Sequence, residues 1–488
     1  MKNLRNKHLA VTSLLSSALL FLSPSLLSYT HSNKTFIMLR PPGREIPTEK
    51  VTWYHSQRNA DNLKNCSKGG ALQITAFYKR SHDADDMGKY FAIREKNTFS
   101  YGVGSNFPYL ATEDLIHDNQ ESRGNLTGEL TMKPTRSIEG LRISYYKTLK
   151  DGYFTKGNVP ILRVRHHLHE KTASETKVGT AGLLDLLSGS YSHALSLADG
   201  DAQSALEYSK IDGEQKGDFG LGDVDLTLGR RLLDEELFDC SVYARLTLPT
   251  SNEPTGKFLF EPIRGNGKHW ELGVGLDASF DLWSDEQSHI ELLFNVDVAY
   301  TFAANEKRTF NSNVDIKVVP PWSRYMLIGE NGKQGLQPLA NISTISAKVS
   351  PGFQSEAILT VGYRTEHIAI DVGYDMYARE SETISIKDWT EDRYAFTHAT
   401  AYSTQDNFLD VDTHYLSGID KSTIDKAELD TAGASTPASL THGIFAGIGY
   451  LAEDRGPFMG GIGASYEWAR ENSAVTSFSI WAKVGVTF

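Results

Sequence analysis

The chain has 488 residues, with 49 Lys and Arg against 61 Asp and Glu, and a formal net charge of −12. This charge excludes a dedicated nucleic-acid-binding protein, which presents a basic surface to phosphate, and the presence of only two cysteines excludes a disulfide scaffold. The negative mean hydropathy excludes a polytopic helical membrane protein, but it is compatible with a β-barrel, whose strands are only half apolar.

Residues 1–28 predict a secretory signal peptide. Lys2, Arg5 and Lys7 form a basic segment, and the run from Leu9 to Leu22 that follows is almost wholly apolar or Ser/Thr. This run is shorter than the ~20 apolar residues of a membrane-spanning helix, so the alternative of a helical anchor is less favoured. We therefore expect an exported chain, whose net charge becomes −15 once the three basic residues are removed.

Short alternating runs come first along the rest of the chain. Leu72 to Tyr78, Leu141 to Tyr145 and Val224 to Leu228 each place apolar residues at every second position. A period of two puts alternate side chains on opposite faces of a sheet, so each run predicts a β-strand.

Longer runs follow from Phe238 onward. Every even-numbered position from Trp270 to Leu282 is apolar, and Phe238–Leu248, Ile290–Phe302 and His367–Ala378 repeat the pattern. Strands of soluble proteins typically have about five or six residues, whereas tilted membrane strands need roughly 9–11. The length of these runs therefore favours membrane strands.

Apolar residues also alternate from Phe478 to the final residue, Phe488. Together with the signal peptide and the runs between them, this closing strand resembles that of bacterial outer-membrane β-barrel proteins, in which a terminal aromatic residue is read by the assembly machinery. The resemblance implies an outer-membrane location, with membrane lipid and the assembly machinery as partners and Phe488 as the assembly signal. The expected fold is all-β, a single closed antiparallel transmembrane β-barrel.

Link lengths indicate the topology of this barrel, because short links are periplasmic and long links extracellular in such proteins. From Asp223 onward, short and long links alternate strictly. We assign the barrel to residues 71–488 and expect about 14 strands, with 12 and 16 as alternatives. Asn311–Val319 and Ile342–Val349 are each readable as a loop or as a further strand.

Residues 29–70 lie between the predicted signal peptide and the first strand, and they include Arg40, Pro41 and Pro42. They are interpreted either as a plug inside the barrel or as a disordered leader. A plug would be similar in layout to the outer-membrane fatty-acid transporter family, which combines a barrel of about this size with an N-terminal hatch.

Few residues suggest chemistry of their own. Arg165, His166, His167, His169 and Glu170 cluster at a strand end, but on a strand His166 faces away from His167 and His169, so a full set of metal ligands is absent. Neither H-E-x-x-H nor G-x-S-x-G occurs. We therefore expect no enzyme activity, no bound metal and no cofactor.

Strand parity predicts which charged side chains face the barrel interior. The predicted pore-lining residues are Asp223, Asp225, Arg231, Arg245, Glu271, Asp277, Asp281, Glu291, Asp297, Glu356, Arg364, Asp371 and Asp375. Ten of them are acidic and three basic. Carboxylates in a pore favour cations, so this excess predicts a weak cation preference, although a water-filled interior also tolerates paired charges.

These features predict a porin-like outer-membrane channel for passive diffusion of small solutes. Two alternatives stay open. One is a gated outer-membrane transporter of hydrophobic compounds, which needs an apolar path and a lateral opening. The other is a surface adhesin or structural barrel that binds partners through its long loops. No nucleic-acid partner is expected, and no oligomeric state is assigned.

Overall fold

The computed structural model describes residues 40–42, 69–91, 97–101, 127–176, 182–192, 203–235, 237–313, 322–330, 336–396, 423–452, 458–469 and 475–488, and the structural statements below concern these ranges. The predicted signal peptide and most of the predicted leader lie outside them. In the described ranges, no helix is long and apolar enough to cross a membrane.

Twelve antiparallel strands form one closed β-barrel. The strands are β1 (Gly70–Ser81), β2 (Thr135–Thr148), β3 (Tyr153–His167), β4 (Val224–Glu235), β5 (Phe238–Leu248), β6 (Glu271–Ser284), β7 (Ser288–Thr301), β8 (Gly352–Thr365), β9 (Ile368–Arg379), β10 (Ser439–Ala452), β11 (Phe458–Ala469) and β12 (Ser477–Thr487). Each strand pairs with the next along the chain, and β12 pairs with β1, with Ala71 opposite Thr487. The predicted closed antiparallel β-barrel is confirmed.

The preferred count of 14 strands is wrong, and the alternative of 12 is correct. In the candidate segment Ile342–Val349, a helix over Leu339–Ser343 is followed by the strand Thr344–Ser350, which belongs to a separate three-stranded sheet. Of Asn311–Val319, only residues 311–313 are described, and they hold an isolated bridge and no strand. The alternation in Ile342–Val349 therefore reflects a short strand of a long link and not a membrane strand.

The long links carry further short elements. Three-stranded sheets are formed by Thr98–Tyr101, Thr127–Thr131 and Lys171–Thr176, by Ala304–Thr309, Thr344–Ser350 and Thr383–Ile386, and by Leu327–Glu330, Leu336–Pro338 and Tyr394–Phe396. Two short strands, Glu214–Lys216 and Gly220–Leu221, pair with β3. Helices span Ala84–Phe91, Leu183–Leu187, Leu339–Ser343 and Thr431–Ala434, and 3-10 turns span Lys150–Gly152, Ser323–Tyr325 and Lys426–Glu428. Two buried apolar cores stabilise the long links, one of which includes Trp322 and the other Phe310.

Short and long links alternate around the barrel, as the sequence predicts. The β2–β3, β4–β5, β6–β7, β8–β9 and β10–β11 links have two to five residues each. They share one end of the barrel with Gly70 and Phe488, whose backbones exchange hydrogen bonds. At the opposite end the links run from 7 residues (470–476) to 59 residues (380–438). We call these the short-link end and the long-link end.

The barrel wall has an apolar outer face and a polar inner face. Along β12, Ser479, Lys483 and Thr487 are buried inside, whereas Ile480 and Phe488 point outward and are each 54% exposed. Exposed aromatic residues occur at strand ends on the outer face, including Tyr145, Trp270, Trp283, Tyr300, Tyr363, Tyr450 and Phe458. An apolar band between aromatic girdles is typical of a wall that faces lipid.

Candidate functional site in the barrel interior

The structure places the predicted pore-lining residues inside the barrel or at its rim. Those buried along the strands are Asp225, Arg245, Glu271, Asp277, Glu291, Asp297, Glu356, Arg364, Asp371 and Asp375. Arg231 and Asp281 are half-buried on the interior parity of β4 and β6. Asp223 lies just before β4 and accepts hydrogen bonds from the backbone amides of Ser251 at 3.2 Å and Asn266 at 2.7 Å, so it organises the rim. That these residues line a conducting path stays a prediction.

Arg245 on β5 binds carboxylates from three other strands. Its guanidinium lies 3.4 Å from Asp225 on β4 and 3.6 Å from Glu271 on β6, and it forms a close ion pair with Asp297 on β7. These four side chains are at most 9% exposed. Charges separated from water attract each other more strongly than charges at a surface, so the cluster ties four strands together.

Two further buried groups of charges extend toward the short-link end. Lys156 on β3 reaches past two strands to Asp277 on β6, with 3.2 Å between Nζ and Oδ2. Closer to the short links, Arg364 on β8 lies 2.8 Å from Glu291 on β7 and 2.5 Å from Asp371 on β9. Most acids predicted to form a cation filter therefore already have a basic partner.

Arg40, from the predicted leader, lies inside the barrel near the long-link end. Its guanidinium donates to Asp375 at 2.7 and 3.2 Å and to Glu467 at 3.1 Å, and it also contacts the carboxylate of Glu356. The guanidinium stands 5.5 Å from the ring centroid of Tyr377, a cation–π distance. Residues 40–42 thus occupy the interior, as the plug interpretation requires, while the choice between plug and leader for residues 29–70 as a whole stays a prediction because the rest lie outside the described ranges.

The interior also holds basic residues that are not among the predicted pore-lining residues. Arg136, Arg142, Lys156 and Lys483 are between 2% and 8% exposed. The ratio of ten acids to three bases therefore overstates the negative charge of the interior. The sequence signal for β2 and β3 is weak because their interior positions mix basic, apolar and small residues, so no clean alternation marks them.

Aromatic rings cover glycines of the adjacent strand at four places on the interior wall. The pairs, each directly opposite in the strand register, are Phe154 with Gly229, Tyr243 with Gly275, Phe445 with Gly373, and Trp481 with Gly463. A Cβ added at any of these glycines would lie 2.1 to 2.4 Å from the ring, which no real contact allows. The glycines therefore make the room that keeps these rings against the wall.

The interior also contains a buried apolar cluster. A single buried cluster joins Phe77, Ile138, Leu162, Val164, Ile358, Phe445 and Trp481. These residues lie on β1, β2, β3, β8, β10 and β12, whereas most of the ion pairs lie on β4 to β9. The interior thus combines a network of ion pairs with an apolar cluster that has basic residues beside it.

The histidine cluster predicted at a strand end is divided between two environments. His166 is buried and stacks on Phe260, with 3.5 Å between ring centroids, whereas His167 stacks on His169 at 3.7 Å. The three imidazoles therefore do not converge on one point.

A buried ion-pair network connects the long links just beyond the barrel. His269 Nε2 lies 2.6 Å from Glu306 Oε1, and Arg308 lies 2.6 Å from Glu306 and 3.2 Å from Glu382. Burial alone would lower the pKa of His269, but the hydrogen bond and the charge of Glu306 outweigh it and raise that pKa above its ordinary value. Protonated His269 thus stabilises the junction between three links.

A closed wall with an apolar outside and a charged inside decides the fold class. The chain folds as an outer-membrane-type β-barrel. No protein-family model and no curated protein matches the sequence.

Solved structures similar to this chain include an outer-membrane channel from Pseudomonas putida F1, at 12% identity, covering 86% of this chain and 96% of that one with a TM-score of 0.38. The CymD monoaromatic hydrocarbon channel is 8% identical over 93% of this chain and 98% of its own, with a TM-score of 0.31. A Pseudomonas aeruginosa FadL homologue is 8% identical over 86% and 89%, with a TM-score of 0.28. The fold assignment rests on the strand pairing described above.

Proposed function

We propose that the protein is a porin-like channel of a bacterial outer membrane, through which small solutes diffuse passively. The observation that carries the proposal is the closed wall with an apolar outer face around a charged interior. A closed barrel pairs its backbone groups between strands, so it can lie in lipid while its interior holds water and charge. Membrane lipid, the outer-membrane assembly machinery and small solutes are the proposed partners, and we propose no catalytic role.

The proposed ion preference is weakly cationic. Acids still outnumber bases among the predicted pore-lining residues, and carboxylates along a path favour cations. The preference is expected to be small, because Arg245, Lys156, Arg364 and Arg40 each neutralise part of the carboxylate charge.

Planar-bilayer recording of the purified, folded barrel tests this function. Folding is checked first by the change in gel mobility on boiling. We expect discrete conductance steps and, under a salt gradient, a small reversal potential of the cationic sign. Folded protein that inserts into bilayers and gives no conductance would contradict the channel function, and a reversal potential of the anionic sign would contradict the preference alone.

A second candidate function is transport of hydrophobic compounds. The observation that favours it is the buried apolar cluster around Phe77, Leu162, Phe445 and Trp481 in the interior. Accumulation of a radiolabelled aromatic hydrocarbon by proteoliposomes separates the two functions. Ion conductance without hydrocarbon accumulation supports the porin-like channel, and accumulation without conductance supports the hydrophobic transporter.

A further inference from the structure

Three potential metal ligands meet inside the barrel at its short-link end. Asp281 on β6 and His289 and Glu291 on β7 bring one ligand atom each to within 4.8 Å of one another. The strand register explains the meeting, because Asp281 is directly opposite Glu291, and His289 and Glu291 are two residues apart on the same face of β7. No short motif marks the group in the sequence, since its ligands come from two strands.

From this group we infer a binding site for a divalent transition-metal ion, of the Zn²⁺ or Mn²⁺ class. One imidazole nitrogen and two carboxylate oxygens suit such ions, whereas Mg²⁺ and Ca²⁺ prefer oxygen ligands throughout. Ligand atoms around a tetrahedral ion with bonds of ~2.1 Å are about 3.4 Å apart, so the three groups need to approach by roughly 1.5 Å at most. Asp281 and His289 are only half-buried, so neither side chain is enclosed by close packing on all sides.

The charge balance of the neighbourhood also suits a divalent cation. Arg364 lies 2.8 Å from Glu291 Oε1 and 2.5 Å from Asp371. The carboxylates of Asp281, Glu291 and Asp371 and the guanidinium of Arg364 together carry a formal charge of −2. A divalent ion balances this charge and leaves Glu291 able to bind Arg364 with one oxygen and the ion with the other.

Three protein ligands leave at least one coordination position of the ion open. In proteins, sites with three protein ligands hold water or a solute in the remaining position, whereas purely structural zinc sites are closed. A site of this kind at the short-link end would bind a metal ion transiently as the ion passes through the barrel. This last role rests on the proposed channel function, whereas binding itself does not.

Calorimetric titration of the folded, chelator-treated protein with Zn²⁺ in detergent tests binding, with Mg²⁺ as the comparison ion. We expect one saturable Zn²⁺ site and at least a tenfold loss of affinity in His289→Ala. His367→Ala is the matched control, because His367 lies in the β8–β9 link at the same end and is outside the group. The Zn²⁺ affinity of this variant should equal that of the wild type. Asp281→Asn is the second variant, with the same loss expected, should His289→Ala fail to fold.

Absence of saturable Zn²⁺ binding to the wild type, or equal affinity in the wild type and His289→Ala, would overturn the site. In bilayers, Zn²⁺ added on the short-link side should reduce the current of the wild type and of His367→Ala, but not that of His289→Ala. Zinc binding without any conductance would refute the channel function and leave the site standing.

Discussion

Arg40→Ala should convert a nearly balanced part of the interior into a cation-selective one. The guanidinium of Arg40 contacts Glu356, Asp375 and Glu467. Among the described residues, Lys79, which lies 3.4 Å from Glu467, and Arg136 line the same space and remain when Arg40 is removed. One additional uncompensated negative charge therefore faces the path.

The size of the effect follows from Coulomb's law. A unit charge ~6 Å from a passing ion in water contributes about 0.7 kcal/mol, which favours cations about threefold and disfavours anions by the same factor. The cation-to-anion permeability ratio should therefore rise roughly tenfold at low salt. At 1 M salt, where the screening length falls to about 3 Å, most of the change should disappear.

Reversal potentials under a salt gradient measure this ratio. Arg80→Ala is the matched control, because Arg80 is the residue after Lys79 on β1 and is exposed on the outer face, so it removes the same charge without altering the interior. Arg40→Lys keeps the charge and should stay close to the wild type. An unchanged ratio in folded Arg40→Ala, or an equal shift in Arg80→Ala, would show that the Arg40 carboxylates do not face the ion path.

Three further predictions concern assembly, bore width and pH. Phe488→Asp should lower the amount of barrel in the outer membrane far more than Thr487→Asp, because Phe488 is on the lipid face at the barrel closure; equal amounts on immunoblots of membrane fractions would contradict this. Gly463→Ala should reduce single-channel conductance and alter the fluorescence of Trp481, since the new Cβ would displace the ring toward the lumen; unchanged conductance and emission would show that the ring has room elsewhere. The raised pKa of His269 means that its stabilising contribution is fully present below the ordinary pKa of about 6.5 and is lost as pH rises through the folded value. Protease cleavage in the long links should therefore increase with pH in the wild type and lose that dependence in His269→Gln.

The strands that the sequence predicts well are those with a strict division between the two faces. Along β6, β7, β9 and β12, every second residue faces lipid and is apolar, whereas the residues between them face the interior and are mostly polar or small. The alternation of apolar and polar residues is therefore easy to recognise in the sequence. β3 is different, because Pro160 interrupts it and Arg163 and Arg165 stand on its outer face, where both bind Glu139. An ion pair on the outer face removes the apolar signal at those positions.

Sequence patterns do not predict which of the interior charges form ion pairs with each other. Parity states that Asp375 faces inward, but Arg40 is 335 residues away along the chain, and no periodicity links the two. The same holds for Lys156 and Asp277, which are separated by 121 residues. Parity thus predicts which charges are inside, whereas neutralisation depends on three-dimensional neighbours, and that is why the predicted acid excess was too large.

The glycine–aromatic pairs of the interior wall have a consequence for how such a barrel can diverge. The width of a barrel grows with its strand number, which changes only by gain or loss of whole hairpins. A ring such as that of Phe445, by contrast, lies against the wall only because Gly373 opposite has no Cβ. A single substitution at either position changes the cross-section of the barrel interior locally and leaves the pairing of the strands intact. Selection can therefore adjust what passes in small steps, one cross-strand pair at a time, without a change of architecture.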